Sequence, residues 1–263
     1  MCLQSGLQPR EPRAEAEEAL ARNLKDALIA EFGATSLSGK YLRDPPVRGP
    51  YGEAEILLRP DAKPVSVPPY QLSGERRDAL DSLVGSAIEQ GKLESGKGPW
   101  NTPAFPVPKK VPHRYHLVQD LRPQNAATIK DGHSLPRIGE MVQRQGKNRL
   151  WTVLDLVDGF HQMPLKQEHR YITCMSTPRG TQQWTVQVMG LKNAGTQFQR
   201  MMEWVLQDLP ATDPYLDDTI TGTSGLSDSE SLWDNYHAVR ALLKLFETEK
   251  LVGHPEKSHF FQK

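Results

Sequence analysis

The chain has 263 residues, of which 37% are hydrophobic and 24% charged, enough for one or two globular domains with a sizeable core. Lys+Arg and Asp+Glu both number 32, so net charge alone does not single out a nucleic-acid binder. No run approaches the ~20 apolar residues of a membrane span, there is no apolar signal core, and Cys2 and Cys174 form neither a disulfide framework nor a metal pattern, so a reducing, cytoplasmic setting is expected.

Residues 1–13 are polar and are expected to be disordered. Leu20, Leu24, Leu28 and Phe32, four apart, predict an amphipathic helix over 14–32 that Gly33 ends. It packs on its own domain or serves a partner. Residues 34–72 are rich in Gly, Pro and Ser, with a short strand at Glu55-Ile56-Leu57-Leu58 and an extended, proline-studded connector after it. Ser73 is the expected N-cap of a helix over 74–90, stopped by Gly91. A strand hairpin follows, with Lys109-Lys110-Val111-Pro112-His113-Arg114 at its tip and Tyr115 to Leu121 as the return arm. From Lys97 to Leu150 there are ten Lys/Arg against three Asp/Glu, a stripe suited to a phosphate backbone or simply a solvated basic face.

A short helix over 136–146 precedes Leu150-Trp151-Thr152-Val153-Leu154, an apolar, β-rich run that predicts a buried strand ending at Asp155. A hairpin over 171–176 and 182–189 turns at Pro178-Arg179-Gly180. Phe198, Met201, Met202, Val205 and Leu206 mark the buried face of a helix over 193–209. Tyr215-Leu216 and Thr219-Ile220-Thr221 then flank Asp217-Asp218, which predicts a hairpin whose tight turn is made by the acids. Ser227-Asp228-Ser229-Glu230 is a capping box for a helix to about 250, and Ser258-His259-Phe260-Phe261 is a closing strand.

Alone, an Asp-Asp pair is an ordinary solvated turn. Sixty-two residues upstream, however, Asp155 ends a buried strand. A carboxylate at such a strand end, joined by two more on a hairpin, is the layout of a two-metal site.

So many short blocks occur in order that the chain resembles the reverse transcriptase region of gypsy-type LTR retrotransposon polyproteins, related to retroviral reverse transcriptases. The blocks include Pro69-Tyr70-Gln71-Leu72-Ser73, Pro99-Trp100-Asn101-Thr102-Pro103, Val118-Gln119-Asp120-Leu121-Arg122-Pro123-Gln124-Asn125 and Leu154-Asp155. They continue through Gly159-Phe160-His161-Gln162-Met163-Pro164-Leu165, Gly190-Leu191-Lys192-Asn193-Ala194, Tyr215-Leu216-Asp217-Asp218 and Pro255-Glu256-Lys257, over about residues 55–263. The resemblance implies an α+β fold, the fingers and palm of a right-hand polymerase. Residues 55–130 with 165–192 would be fingers, 131–164 with 193–263 palm, and 1–54 a variable connector. It implies RNA-directed DNA polymerase activity on an RNA or DNA template-primer with dNTPs, using two Mg²⁺ ions for which Mn²⁺ can substitute. Asp155, Asp217 and Asp218 would be the catalytic, metal-binding acids. Asp158, Gly159 and Phe160 would lie under the incoming nucleotide, with Phe160 the gate against a 2′-hydroxyl. Lys109, Lys110, Arg114, His116 and Met189 would line the nucleotide, and Arg122, Gln199, Arg200 and Tyr215 the nucleic acid.

There are departures. His116 stands where the family usually has arginine, Met189 where it has Gln or Phe, and Gly195 where it has proline. The chain stops where the palm would pass to a thumb, so the expectation is a thumbless polymerase from a polyprotein whose RNase H and integrase regions lie elsewhere, working in the cytoplasm, a virus-like particle or the nucleus. The rival expectation is an inactive, domesticated remnant that binds nucleic acid or a partner.

Overall fold

The computed structural model describes residues 12–263; the expected disorder of 1–13 falls outside the described residues except at Pro12 and Arg13, which are the first residues of a helix. Two sheets organise the chain. The first has the order β7-β8-β4-β9. Its hub is β4 (Leu150–Asp155), antiparallel to β8 (Asp218–Thr223) on one side and to β9 (His259–Gln262) on the other. Strand β7 (Thr212–Tyr215) closes the hairpin with β8. Along β4, Leu150, Thr152 and Leu154 are buried while their neighbours are half-buried, the period of a pleated strand.

Three helices share a core with this sheet: α1 (Pro12–Phe32), α5 (Ala194–Val205) and α6 (Asp228–Thr248). Leu24, Leu28 and Phe32 of α1 meet Val239, Leu243 and Phe246 of α6 in that core, alongside Phe198, Met201 and Met202 of α5. The apolar face of α1 is therefore spent inside its own domain, which removes the partner-helix option. One buried polar group joins the core to the sheet: Asn235 of α6 accepts from the Thr152 hydroxyl at 2.6 Å and donates to Thr221 O at 3.1 Å. The capping box is half-formed. Ser227 Oγ accepts from Glu230 N–H, but Glu230 reaches Leu226 N–H rather than that of Ser227.

The second sheet has the order β1-β6-β5-β2-β3. Its strands are β1 (Leu93–Ser95), β2 (Thr102–Pro108), β3 (Tyr115–Gln119), β5 (Met175–Thr177) and β6 (Gly180–Trp184). Leu80, Val84 and Ala87 of α2 (Glu75–Glu89) pack with Met175, Trp184 and Val186 in a second, smaller core. Gln119 knits this sheet internally, donating to Thr102 Oγ1 and accepting from Trp184 Nε1, both at 2.9 Å. Two short helices, α3 (Arg122–Ala127) and α4 (Ile138–Gln145), lead from this sheet towards β4.

Several expectations give way. Gly74, at φ 52, takes the helix-start position expected of Ser73, and no side chain caps α2. Residues 55–58 form no strand; bridges at Ala54–Leu165 and Leu58–Thr128 hold the segment instead. Residues 167–173 are a 3₁₀ helix, and the hairpin beyond it is confined to 175–184.

Candidate active site

Asp155 is the last residue of β4, and its backbone is clasped by the segment that leads into β9. Its N–H donates to Ser258 Oγ at 3.2 Å, and its C=O accepts from His254 N–H at 2.7 Å. The carboxyl is left open. Oδ1 is shielded from solvent and accepts no hydrogen bond, with Lys257 Nζ 3.6 Å away.

The opposing acids come from the β7–β8 hairpin. Its two-residue turn is Leu216-Asp217, with Leu216 left-handed at φ 55, and Asp218 is the first residue of β8. Only one acid is thus in the turn; the other faces Asp155 across the ladder, since 155 and 218 are register partners. Leu156 N–H donates to Asp217 O at 3.0 Å, so the two chain segments touch. Gly159 closes the approach from below, where a Cβ would sit 2.4 Å from that of Asp217. Burial, then the negative charges of Asp217 and Asp155, raise the Asp218 pKa. Three carboxyls therefore share one sheet end and repel one another.

That donor set suits a hard divalent cation. An open, shielded carboxylate oxygen and a neighbour destabilised by like charge both gain from one. Among the described residues no three His, Cys, Asp or Glu side chains make a ready-made metal cage. Mg²⁺ does not need one where substrate phosphates and water complete its shell.

Beyond Asp155 the chain turns sharply. Asp158 is left-handed (φ 48, ψ 40), and a 3₁₀ turn over Gly159–Gln162 follows. The half-buried Phe160 ring packs against Phe198 of α5, with centroids 5.3 Å apart. One side of the ring is anchored in the core beside the acids.

The chain matches the family model described as reverse transcriptase (RNA-dependent DNA polymerase) over residues 107–263. It belongs to the reverse transcriptase family. Among its relatives are the retrovirus-related Pol polyprotein of transposon opus from Drosophila melanogaster (29% identical over 236 residues, 86% of this chain and 23% of that one) and the enzymatic polyprotein of figwort mosaic virus (29%, 80% and 31%). The gypsy Pol polyprotein of Drosophila melanogaster is 27% identical over 93% of the chain. The chain thus spans about a quarter of the length of these relatives. Its fold matches the foamy viral protease–reverse transcriptase, solved with double-stranded DNA (TM-score 0.75, 16% identity, all of this chain and 46% of that one) and with an RNA/DNA hybrid (0.75, 17%, 98% and 35%). The α+β fold is that of the fingers and palm region of a reverse transcriptase. Reverse transcriptases generally use divalent metal ions.

The other expected site residues fall into groups. Lys109, Lys110, Arg114 and His116 are exposed on the tip and return arm of the β2–β3 hairpin. Glu75 of α2 steadies that hairpin through His113 and Tyr115, each at 2.9 Å. Met189 is 70% exposed, beside Gly190 at φ 98. Arg122 is exposed and forks onto Asp120; Arg200 is paired to Asp131 and lies over the Tyr51 ring. Tyr215 is half-buried in the hairpin arm. Gln199 does not face a template. It is fully buried on α5, accepts from Leu216 N–H at 2.8 Å and donates to Pro214 O at 3.0 Å. It shapes the turn that carries Asp217.

Two residues of the site's surroundings carried no sequence signal. Arg48 is fully buried, and its guanidinium donates to Glu249 O (2.7 Å), Gln162 O (2.5 Å) and Lys250 O (2.9 Å). Gln162 in turn bonds Val157 O and both backbone groups of Val252. The connector, the end of α6 and the 157–162 turn are thereby one hydrogen-bonded unit behind the acids. The second residue is Lys92.

Proposed function

We propose that this chain is the polymerase part of a retrotransposon-type reverse transcriptase, adding deoxynucleotides to a primer 3′-hydroxyl on an RNA or DNA template. The observation that supports this best is the meeting of Asp155 and the Asp217-Asp218 hairpin at one sheet end. We read residues 55–130 and 165–192 as fingers and 131–164 and 193–263 as palm.

In this reading Asp155, Asp217 and Asp218 hold two Mg²⁺ ions, or Mn²⁺ in their place. When bound, such ions activate a hydroxyl nucleophile and neutralise a pyrophosphate leaving group. The rest is done by side chains. Lys109, Lys110 and Arg114 sit on a cationic hairpin tip that can close on a triphosphate, with the exposed His116 imidazole on the return arm beside them. Exposed Arg122 and the half-exposed Arg200 meet phosphates of the template strand, and sequence is left to base pairing. Phe160, held by Phe198, occupies the space a 2′-hydroxyl would need.

Primer extension of oligo-dT on poly-rA with dTTP and Mg²⁺ tests the proposal, and absence of any incorporation would overturn it. In the same assay Phe160→Val is expected to relax dTTP-over-rUTP preference about 100-fold, as for a pocket that gains room for one hydroxyl. Unchanged sugar preference would remove Phe160 from the gate.

A further inference from the structure

Lys92 lies between α2 and β1, on the fingers side, upstream of residues 107–263 that carry the family match. Its side chain is only 7% exposed, yet it forms an ion pair. Its backbone is pinned at both groups: N–H to Ala87 O at 2.9 Å, and C=O from Thr185 N–H at 3.0 Å. The ammonium is 2.6 Å from Asp158 Oδ2 and 4.0 Å above the Tyr41 ring. Tyr41, from the N-terminal connector, donates its hydroxyl to His161 O at 3.0 Å. His161 stacks on Trp184 of β6, with centroids 5.4 Å apart and planes 17° apart.

These contacts bracket the turn that carries Phe160. Asp158 is a non-glycine residue in the left-handed region, a conformation that persists only when its surroundings hold it. The ion pair grips it on one side and the Tyr41 bond grips His161 on the other. The side chains of Lys92 and Tyr41 both make their hydrogen bonds to this turn. A buried ammonium left without its carboxylate is strongly disfavoured, so the pair pulls the turn into one geometry.

We propose that Lys92, with Tyr41, is a positioning residue that latches Asp158 and so fixes the height of the Phe160 ring for deoxynucleotide selection. The latch joins fingers to palm beneath the nucleotide, and it rests on the polymerase reading above. A ring displaced by ~1 Å forfeits a large part of its discrimination.

The test measures kcat and KM for dTTP and rUTP in primer extension, with thermal melting, for Lys92→Met, Asp158→Asn, the double variant and Lys92→Arg. Lys92→Met is expected to raise KM for dTTP about tenfold and to lower dTTP-over-rUTP preference about tenfold, with kcat within about threefold. The double variant is expected to be no worse than the more damaged single, because both remove one interaction. Lys92→Arg keeps a cation and should restore most of the selectivity. Should Lys92→Met not fold, Asp158→Asn, whose carboxyl is half exposed, carries the same expectation. Equal losses for both nucleotides with selectivity intact, or additive effects in the double variant, would overturn the latch and leave Lys92 as a fold element. A wild-type chain that extends no primer would overturn the polymerase reading, and the latch with it; a wild-type chain that does, with variants of unchanged selectivity, would overturn the latch alone.

Discussion

Asp217→Asn is expected to abolish primer extension, a loss of at least about a thousandfold, while leaving the melting temperature unchanged or slightly raised. The first part follows from charge. A carboxylate that helps hold a divalent cation at developing transition-state charge contributes several kcal/mol, and about 4 kcal/mol is a thousandfold in rate. The second follows from geometry. The turn that carries Asp217 is held by its backbone, through Asp217 O and Leu156 N–H and through Gln199 and Leu216 N–H, and both bonds survive the change. What disappears is a negative charge that, together with Asp155, discourages Asp218 from ionising. Without metal the native fold carries repulsion at this spot, and an amide relieves it. Parallel thermal melts and extension assays decide the matter. A variant that extends primers at more than a tenth of the normal rate would remove Asp217 from the proposed metal site. One that melts several degrees lower would make its role structural.

Arg48→Met is expected to destabilise the fold by about 3–5 kcal/mol, the range seen when one partner of a buried charged network is removed. For a chain of this size that lowers the melting temperature by roughly 10 °C. Methionine fills a similar volume but donates nothing, so Glu249 O, Gln162 O and Lys250 O all lose their partner at once. Burial pulls the guanidinium's pKa down only to about 10, so it is charged at neutral pH and its three bonds are charge-assisted. A lysine cannot fork to three carbonyls, and Arg48→Lys should recover less than half of the loss. Differential scanning calorimetry of the three proteins reads this directly. A shift under about 2 °C would mean that water replaces the guanidinium without cost.

Of Asp217 and Arg48, only the first is visible in the residues. The acids were legible because their signals are local. An apolar β-rich run stops at Asp155, and two strand-forming arms flank Asp217-Asp218. The helix faces of α1, α5 and α6 were legible for the same reason, since periodicity marks the buried side. Arg48 and Lys92 were not, because their partners lie 114 to 202 and 66 residues away and a lone cation in a loop looks solvated. Gln199 misled for a related reason. Its helix was read correctly, but which polar residue turns inward to serve a hairpin depends on tertiary packing, not on spacing. Ser73 lost its cap to Gly74 because backbone geometry, not side-chain chemistry, governs the way into α2.

The place of β4 in its sheet has a temporal consequence. On the ribosome this strand emerges with neither neighbour yet made: β8 arrives about seventy residues later, and β9 only with residues 259–262. At ~5–20 residues per second, one of its two hydrogen-bonding edges stays bare for roughly 5–20 s. During that interval Leu150-Trp151-Thr152-Val153-Leu154 is a sticky, uncharged ribbon open to pairing with any other nascent chain. Slow translation across 156–258 should therefore favour aggregates, and a chaperone that shields this ribbon should raise the soluble yield more than any change at Asp155, Asp217 or Asp218.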